Sequence, residues 1–366
     1  HYPLRRQRQM CIRDSSNKGR VMKNIKRWKN KKVLITGVCG TIGSELVKQL
    51  SETEAAHIVG IDNSETELFF ISEQYNSNNN IDFFLCDLRD SKGLNRVMHG
   101  IDIVLHAAAL KHVVLCEKSP RDAVSTNIQG MINIIDAAEL NHVERFIFTS
   151  SDKAVNPTNV MGTTKLMGER LITAANVHRR DEGGTIYAST RFGNVLGSRG
   201  SVIPIFKQQI ENSGPITLTD DSMTRFVMTV KEAVSLVLES VFIAKGGEVF
   251  VTKMPVIKIA DLAEVMIEVL KKTAKDQSSR IDIKTVGSKP GEKMYEELMN
   301  EEEVRRTIEL KNFYAVLPAF KGIYENIHHD YEDIVCKSID QPYNSFSEKS
   351  ILKEELKNYL VDNQII

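Results

Sequence analysis

The fold of this chain is decided by one stretch, Lys32-Val33-Leu34-Ile35-Thr36-Gly37-Val38-Cys39-Gly40-Thr41-Ile42-Gly43. Its first five residues predict a buried strand, and the run from Ile42 onward predicts a helix. The three glycines let the backbone turn tightly and approach a pyrophosphate, which the N–H groups and dipole of the following helix stabilise. Because Val38 stands where the G-x-G-x-x-G pattern has its first glycine, the glycines alone are a weak signal.

The next predicted strand strengthens this interpretation. It runs from His57 to Ile61 and ends in Asp62. An acid about 20 residues after the last glycine is where ribose hydroxyls are bound. Asp62 would repel a 2′-phosphate, and Asn63 brings no positive charge to offset that repulsion. The sequence therefore predicts NAD rather than NADP as the cofactor.

Two further strands are predicted to end beside the glycine loop. One runs from Ile81 to Leu85 and leads into Asp87, which can accept a hydrogen bond from an adenine amino group. The other runs from Ile101 to Leu105 and leads into His106 and three small residues, Ala107, Ala108 and Ala109. These alanines would let the cofactor lie against the backbone, although tight packing at a helix start is an alternative explanation. The strand ends together predict an α/β fold with a Rossmann-type, doubly wound parallel sheet.

A second distinctive stretch follows the apolar run Arg145 to Ser150, which is typical of a buried strand in a parallel sheet. Ser151, Asp152 and Lys153 fall at its carboxyl end. Ligands bind at that end of open α/β sheets, so a hydroxyl, a carboxylate and an amine there can form a proton-handling cluster. The alternative is an ordinary strand-to-loop exit with a solvated charge pair.

Length and composition suit two regions that share a cleft. The chain has 366 residues, of which 42% are hydrophobic. We expect an NAD-binding domain with the catalytic residues over 22–195. A smaller, mainly substrate-binding α/β region is expected over 196–366, with some segments returning to the first domain. Within that region, apolar spacing predicts helices over 258–272 and 347–360.

Composition also excludes several classes of partner. The formal net charge of +0 gives no reason to expect nucleic acid. No apolar run approaches about 18 residues, so no membrane span is predicted. The five cysteines show neither the spacing of a metal site nor a disulfide framework. A reduced, cytoplasmic setting without a metal is therefore expected.

The first residues are treated separately. The run Arg5-Arg6-Gln7-Arg8-Gln9-Met10-Cys11-Ile12-Arg13-Asp14 resembles a translated transposon sequencing adapter. We expect residues 1–21 to be a non-native leader and Met22 to be the true start. A basic arm for nucleic acid or for targeting is the alternative.

Longer motifs occur in a fixed order from about Lys32 to at least Pro318. They are Thr36-Gly37-x-x-Gly40-x-x-Gly43, His106-Ala107-Ala108-Ala109-Leu110-Lys111-His112-Val113, Thr126-Asn127, Ser151-Asp152-Lys153-Ala154-Val155-Asn156-Pro157, Arg191-Phe192-Gly193-Asn194-Val195-Leu196-Gly197-Ser198-Arg199-Gly200-Ser201, Met223-Thr224-Arg225-Phe226 and Pro290-Gly291-Glu292-Lys293. In this order they resemble the extended short-chain dehydrogenase/reductase superfamily, and specifically its nucleotide-sugar 4,6-dehydratases of the polysaccharide-biosynthesis type.

The resemblance implies a reaction on a UDP-linked N-acetylhexosamine, with UDP-N-acetylglucosamine as the substrate. NAD would take a hydride from C4, water would be lost across C5 and C6, and the hydride would return to C6. The cofactor would be regenerated in each cycle and stay tightly bound. The 4-keto-6-deoxy product would serve surface polysaccharide or glycan synthesis, and the enzyme would be a homodimer or a higher homo-oligomer.

The resemblance also implies two sets of ligand contacts. The cofactor contacts are Gly37, Gly40, Thr41, Ile42, Gly43, Asp62, Asp87, Leu88, Ala107, Ala108, Ala109, Lys111, Asn127 and Lys165. The substrate contacts are Asn194, Ser201, Val202, Arg225, Lys289 and Glu292. The planar guanidinium of Arg225 can bond two oxygens of a diphosphate at once.

By the same resemblance, Asp152 protonates the departing C6 hydroxyl and Lys153 removes the C5 proton. Ser151 would hold the C4 oxygen. Lys165 would bond the nicotinamide ribose and stabilise the developing alkoxide. For Lys153 to act as a base its pKa must fall toward neutrality, which we expect from burial beside Lys165 and the nicotinamide.

One position departs from the superfamily. Its Tyr-x-x-x-Lys pair reads Met161-Gly162-Thr163-Thr164-Lys165 here, and a thioether cannot accept the C4 hydroxyl proton. Loss of activity is one explanation. The intact Asp152, Lys153 and cofactor site favour another, in which Lys153, Lys165 or a bound water takes that proton. The chain also resembles the subset of 4,6-dehydratases that carries methionine at this position.

Two other functions share the cofactor site. A nucleotide-sugar C4 epimerase would need only hydride return to C4, makes little use of an acid–base pair and normally relies on the missing tyrosine. A non-catalytic NAD-binding scaffold would retain the cofactor without chemistry, and Met161 is its strongest support.

Overall fold

The computed structural model describes residues 26–178, 183–198, 201–271, 281–287, 292–324 and 326–366. The expected leader over residues 1–21 and the predicted substrate contact Lys289 both lie outside these residues. The strands are, in chain order, β1 (Lys32–Thr36), β2 (His57–Asp62), β3 (Ile81–Leu85), β4 (Ile103–His106), β5 (Arg145–Ser151), β6 (Ile186–Phe192), β7 (Asn194–Val195), β8 (Ile216–Leu218), β9 (Thr224–Met228), β10 (Val249–Thr252), β11 (Val256–Lys258), β12 (Ile283–Thr285), β13 (Glu297–Met299), β14 (Thr307–Leu310), β15 (Phe313–Val316), β16 (Ile334–Cys336) and β17 (Tyr343–Asn344).

The helices connect these strands. They are α1 (Thr41–Ser51), α2 (Glu65–Gln74), α3 (Ser91–Met98), α4 (Val113–Lys118), α5 (Pro120–Val124), α6 (Gly130–Leu140), α7 (Val160–Ala175), α8 (Val202–Glu211), α9 (Val230–Ile243), α10 (Ile259–Lys271), α11 (Glu301–Val304) and α12 (Lys353–Asp362). A π-helical turn, Ser125–Gln129, joins α5 to α6, and a short 3₁₀ turn, Asp152–Ala154, follows β5. None of the helices in the described ranges is long and apolar enough to cross a membrane.

A large, mostly parallel sheet organises the molecule. In the described chain it has ten strands in the order β16-β14-β15-β10-β6-β5-β4-β1-β2-β3. The strands from β10 to β3 along this order are parallel to their neighbours. The strands β15, β14 and β16 add to one edge in antiparallel fashion. The direction in which successive strands are added to the sheet reverses between β1 and β4. Doubly wound sheets form a crevice at such a point, at the carboxyl ends of the strands. The predicted Rossmann-type fold is confirmed.

Burial on both faces explains why the parallel strands were recognisable in the sequence. Val33 and Ile35 pack on one face of β1 with Leu46 of α1. Leu34 packs on the opposite face, in a cluster that includes Leu94 of α3. A strand covered on both faces needs apolar side chains at nearly every position, so it reads as a continuous apolar run.

The chain beyond residue 195 forms a separate apolar cluster and also adds strands to the central sheet. Helices α8, α10 and α12 surround a third apolar cluster, which includes Phe206, Leu262 and Leu360. Strands β10, β14, β15 and β16 return to the central sheet. The boundary between residues 195 and 196 itself stays a prediction.

The two helices predicted in this region correspond to α10 and α12. The expected start of the second at residue 347 is wrong, because α12 begins at Lys353. The Asn344 side chain accepts hydrogen bonds from the N–H groups of Phe346 and Ser347. Ser350 then bridges to Val256 of β11. These contacts hold the segment before α12 in a turn rather than a helix.

Candidate active site

The ends of three adjacent strands align the predicted cofactor and catalytic residues. Thr36 of β1 lies opposite His106 of β4, which in turn lies opposite Phe148 of β5. The Thr36 hydroxyl accepts hydrogen bonds from the N–H groups of Ala107 at 3.2 Å and Ala108 at 3.1 Å. Its own proton is therefore directed at Nδ1 of His106, 2.8 Å away. Burial, together with the charge of Lys165, lowers the pKa of His106 to about 3, so this ring is neutral.

The glycine loop requires residues without side chains. A Cβ atom on Gly37 would lie 2.7 Å from Cα of Ala108, and the φ of Gly37 is +69°. A Cβ on Gly43 would lie 2.1 Å from the carbonyl oxygen of Gly37. The N-cap of α1 is Gly40, and no side chain caps the helix. The N–H groups of the first turn, which begins with Thr41 and Ile42, can therefore face a pyrophosphate.

The two acids predicted to hold the adenosine half are placed differently. Asp62 accepts hydrogen bonds from the N–H groups of Cys39 and Ser64, both at 3.0 Å. Each of its oxygens keeps a lone pair for a ribose hydroxyl. Asp87 instead pairs with both Nε and NH2 of Arg89, at 2.9 and 2.7 Å. These hydrogen bonds hold the pKa of the Asp87 carboxyl well below its usual range.

Asn127 fastens the loop that follows β4. Its side-chain oxygen accepts from the N–H of Leu110 at 2.8 Å, and its amide group donates to the Leu110 carbonyl at 2.9 Å. The same amide group donates to the hydroxyl of Thr164 in α7 at 2.9 Å. Both amide protons of Asn127 therefore contact protein, and its predicted contact with the cofactor stays a prediction. Lys111 lies exposed in this loop and Leu88 is buried.

The acid and the base predicted after β5 form an ion pair. Nζ of Lys153 lies 2.9 Å from Oδ2 of Asp152. The Asp152 side chain is 6% exposed, whereas that of Lys153 is 34% exposed and thus partly accessible to solvent. The Ser151 hydroxyl donates to Oδ1 of Asp152 at 2.8 Å and accepts from the N–H of Lys153 at 3.1 Å. The Asp152 carboxylate therefore contacts both the hydroxyl of Ser151 and the amine of Lys153.

The lysine with the lowered pKa is Lys165, not Lys153. Burial lowers the pKa of Lys165 to about 8, against the opposing charge of Glu169. Its amine donates to the carbonyl of Thr149 at 2.9 Å and lies 4.7 Å from the centre of the Phe148 ring. Burial acts on Lys153 in the same direction, but the negative charges of Asp152 and Glu296 outweigh it and raise the pKa. The expected lowering at Lys153 is wrong for this structure.

Met161 lies in a dry environment. Its side chain is 3% exposed and packs in a small apolar cluster with Cys116 of α4 and Ala123 of α5. Its carbonyl accepts the hydroxyl of Thr164 at 2.8 Å. The thioether therefore fills space between α7 and the preceding helices.

Arg225 directs its donors at protein acceptors in this structure. NH1 donates to the carbonyl of Thr224 at 2.8 Å, and NH2 donates to that of Lys293 at 2.8 Å. NH2 also lies 3.8 Å from the carboxylate of Glu292, so two predicted substrate residues do meet. A diphosphate would have to replace some of these acceptors, and the predicted contact stays a prediction.

The remaining predicted substrate residues that the structure describes lie in β7 and at the start of α8. Asn194 donates to Oε1 of Glu296 at 2.8 Å. Ser201 precedes α8, and its buried hydroxyl oxygen has no hydrogen-bond partner among the described residues. Val202 is the first residue of α8 and is half-buried.

Sequence reasoning missed two features of this site. One is Glu296, whose carboxyl is buried beside Asp152 and Lys153 and is 4% exposed. The other is a buried network in which Arg191 of β6 bonds Glu169 of α7 at 2.6 Å and Glu303 of α11 at 3.0 Å. The nearest sequence signal is that Arg191 opens a family motif. The acids come from distant segments and nothing in their local pattern marks them.

Comparison with known proteins identifies the family. Residues 33–318 match the family described as polysaccharide biosynthesis protein. The chain belongs to this family. The resemblance inferred from the motifs is thereby confirmed.

Relatives of this chain carry different names. The chain is 45% identical to an uncharacterized membrane protein of Methanocaldococcus jannaschii, over 91% of this chain and 96% of that protein. It is 35% identical to the UDP-N-acetylglucosamine 4,6-dehydratase (inverting) of Campylobacter jejuni, over 91% of this chain and 93% of that protein. It is 34% identical to the UDP-glucose 4-epimerase of Rickettsia felis, over 91% of this chain and 96% of that protein. The chain spans about half the length of two further relatives, from Staphylococcus aureus and Bacillus subtilis.

A solved structure extends the comparison to the fold. The X-ray structure of Pen from Bacillus thuringiensis is 41% identical and superposes with a TM-score of 0.84. The match covers 93% of this chain and 99% of that one. The fold of this chain is therefore shared with that structure over nearly its whole length.

Proposed function

We propose that this chain is an NAD-dependent nucleotide-sugar 4,6-dehydratase of surface polysaccharide or glycan synthesis. Its substrate is a UDP-N-acetylhexosamine, and UDP-N-acetylglucosamine is the one to test first. The observation that carries the proposal is the ion pair of Asp152 and Lys153 at the carboxyl end of β5, on the same edge of the parallel sheet as the glycine loop that follows β1. An elimination needs an acid and a base close together, and the relative from Campylobacter jejuni is named for that reaction.

The residues around the glycine loop fit NAD. The crowding at Gly37 and Gly43 and the uncapped start of α1 suit a pyrophosphate approached closely by backbone. Asp62 offers its free lone pairs to ribose hydroxyls and would repel a 2′-phosphate, which favours NAD over NADP. When bound, NAD supplies a reversible hydride transfer, from C4 of the sugar and back to C6.

The ion pair of Asp152 and Lys153 can provide both catalytic groups at once. Transfer of one proton from Nζ of Lys153 to the Asp152 carboxylate, 2.9 Å away, leaves a neutral amine beside a carboxylic acid. The amine can then remove the C5 proton, and the acid can protonate the C6 hydroxyl as it leaves. No net change in protonation is needed to reach this form.

Lys165 replaces part of what the missing tyrosine would do. Its pKa of about 8 means that a fraction of the amine is neutral near physiological pH, so it can accept the C4 hydroxyl proton directly or through water. In its charged form it stabilises the developing C4 alkoxide. Lys153 and a bound water are the other acceptors that the site offers.

The test is to incubate the protein with UDP-N-acetylglucosamine in deuterated water and follow the sugar by proton and carbon NMR. A 4-keto-6-deoxy product with deuterium at C5 is expected, because Lys153 exchanges its protons with solvent. Unchanged substrate in the presence of bound NAD would contradict the proposal for this sugar nucleotide.

The second candidate is a nucleotide-sugar C4 epimerase. The relative from Rickettsia felis, named UDP-glucose 4-epimerase, is 34% identical, which favours it. An epimerase would yield an axial C4 hydroxyl with the C6 oxygen retained. The same NMR spectra separate the two reactions.

A further inference from the structure

Glu296 is a buried acid that the proposed mechanism does not use. Oε1 accepts from Nδ2 of Asn194 at 2.8 Å, and Oε2 accepts from the N–H of Phe226 at 3.1 Å. Nε of Arg225 lies 3.4 Å from Oε1. The carboxyl therefore has a fixed orientation with two neutral donors and one cation.

Hydrogen bonds join the segment that carries Glu296 to the loop that follows Asp152 and Lys153. Nζ of Lys293 donates to the carbonyl of Val155 at 2.9 Å. Nδ2 of Asn156 donates to the carboxylate of Glu297 at 3.1 Å. These contacts fix the distance between Glu296 and the residues that precede Val155.

The charged groups that face Glu296 are Asp152 and Lys153 from the end of β5 and Arg225 from β9. Burial and the negative charge of Asp152 raise the pKa of Glu296 to about 7, while Lys153 and Arg225 act in the opposite direction. The negative charge of Glu296 in turn helps to raise the pKa of Lys153. Glu296 therefore changes its charge near neutral pH, and Lys153 responds to the change.

We propose that Glu296 is a positioning residue that controls the proton on Lys153 in the acid–base pair. When Glu296 is charged it stabilises the ammonium form of Lys153, and when it is neutral Lys153 releases its proton more readily to Asp152. The role in turnover rests on the proposed function, whereas the coupling between the two groups does not. A merely structural role would be to hold Asn194 and Arg225 in place without affecting the charge of Lys153.

The coupling is tested by NMR on the full chain with lysines carrying ¹³C-methyl groups from reductive methylation. The Lys153 signal is assigned by its loss in Lys153→Arg. In Glu296→Gln the titration midpoint of Lys153 falls by about one pH unit, because a neighbouring negative charge is gone. The control is Glu297→Gln, since Glu297 pairs with Lys293 instead. An unchanged midpoint in Glu296→Gln, or an equal fall in Glu297→Gln, overturns the proposal.

A second measurement needs no variant of Glu296. The Lys153 signal of the otherwise unaltered protein should shift with an inflection near pH 7, where Glu296 loses its proton. Absence of that inflection also overturns the proposal. In turnover assays, kcat/KM should fall as pH rises through about 7, where Glu296 becomes charged, and this fall should be absent in Glu296→Gln. If the NMR coupling is present but the protein does not turn over UDP-N-acetylglucosamine, the proposed function fails and the coupling stands.

Discussion

The proposed cofactor side and the proposed acid–base side of the site are built by different means. The cofactor side consists of main chain: the loop from Gly37 to Gly43, the start of α1 and strand ends tied together by Thr36. The acid–base side consists of side chains that meet from distant segments, with Asp152, Arg225 and Glu296 brought together only by folding. Close packing around a site built from main chain leaves little space for added side-chain atoms, so few of its positions tolerate substitution. A site built from charged side chains depends instead on the balance between their opposite charges.

The largest effect is expected on the acid–base side. Asp152→Asn and Lys153→Met should each lower turnover by about 10² to 10⁴-fold, since each removes a proton-transfer group. Binding of NAD should be retained, because the glycine loop is built separately. Initial rates and NAD binding by fluorescence measure the two quantities.

Lys153→Arg sharpens this prediction. Arginine keeps the positive charge beside Asp152 but does not give up its proton. Turnover should therefore fall about as far as in Lys153→Met. Substantial activity in Lys153→Arg would show that charge alone suffices and that the base lies elsewhere.

The next effect probes the cofactor side. Gly43→Ala should lower stability by about 1 to 3 kcal/mol and weaken NAD binding, because overpacking there displaces the backbone of the loop. The new Cβ would lie 2.1 Å from the Gly37 carbonyl oxygen. Gly183→Ala is the matched control, since a Cβ there meets nothing within 4 Å. Equal melting temperatures and NAD affinities for both variants would contradict a backbone-limited site.

The same contrast explains what could be predicted from the sequence. Some features are local patterns in the sequence, namely the apolar runs of β1, β4 and β5 and the glycine loop. The fold and the location of the cofactor side could therefore be predicted from them. Asp152 and Lys153 were recognisable because they end a strand. Glu296 was not, because its importance comes from burial and from neighbours that lie about 70 to 145 positions away in the sequence. The pKa of Lys153 was mispredicted because the negative charges of Asp152 and Glu296 together outweigh burial there, and only Asp152 was recognised from the sequence.

A smaller effect compares how Lys165 and Lys153 contribute to stability at different pH values. The folded-state pKa of Lys165 is lowered to about 8 from 10.5, so between these values the unfolded chain binds more protons than the folded one. Stability contributed by this group therefore rises with pH across that window. Relative to Lys165→Met, the unaltered protein should gain about 1 to 3 kcal/mol between about pH 8 and pH 10. Urea unfolding of both proteins at several pH values measures it.

The contribution of Lys153 to stability changes with pH in the opposite direction. Its folded-state pKa is raised, so its contribution to stability is present below the ordinary lysine pKa and is lost as pH rises through the folded value. Relative to Lys153→Met, the unaltered protein should therefore lose stability at the alkaline end of the same series. The same slope for both lysines would mean that Glu296 and Asp152 do not act on Lys153 as described.

The smallest effect is expected at the position that departs from the superfamily. Met161→Leu keeps nearly the same volume within the apolar cluster of Cys116 and Ala123, and such swaps usually cost less than about 1.5 kcal/mol. Because the thioether transfers no proton in the proposed mechanism, turnover should stay within about threefold of the unaltered protein, a difference of less than about 1 kcal/mol in the barrier. A loss of about 100-fold with an unchanged melting temperature would place the sulfur in contact with the reacting sugar. Met161 would then belong to the acid–base side of the cleft and no longer to the packing that supports it.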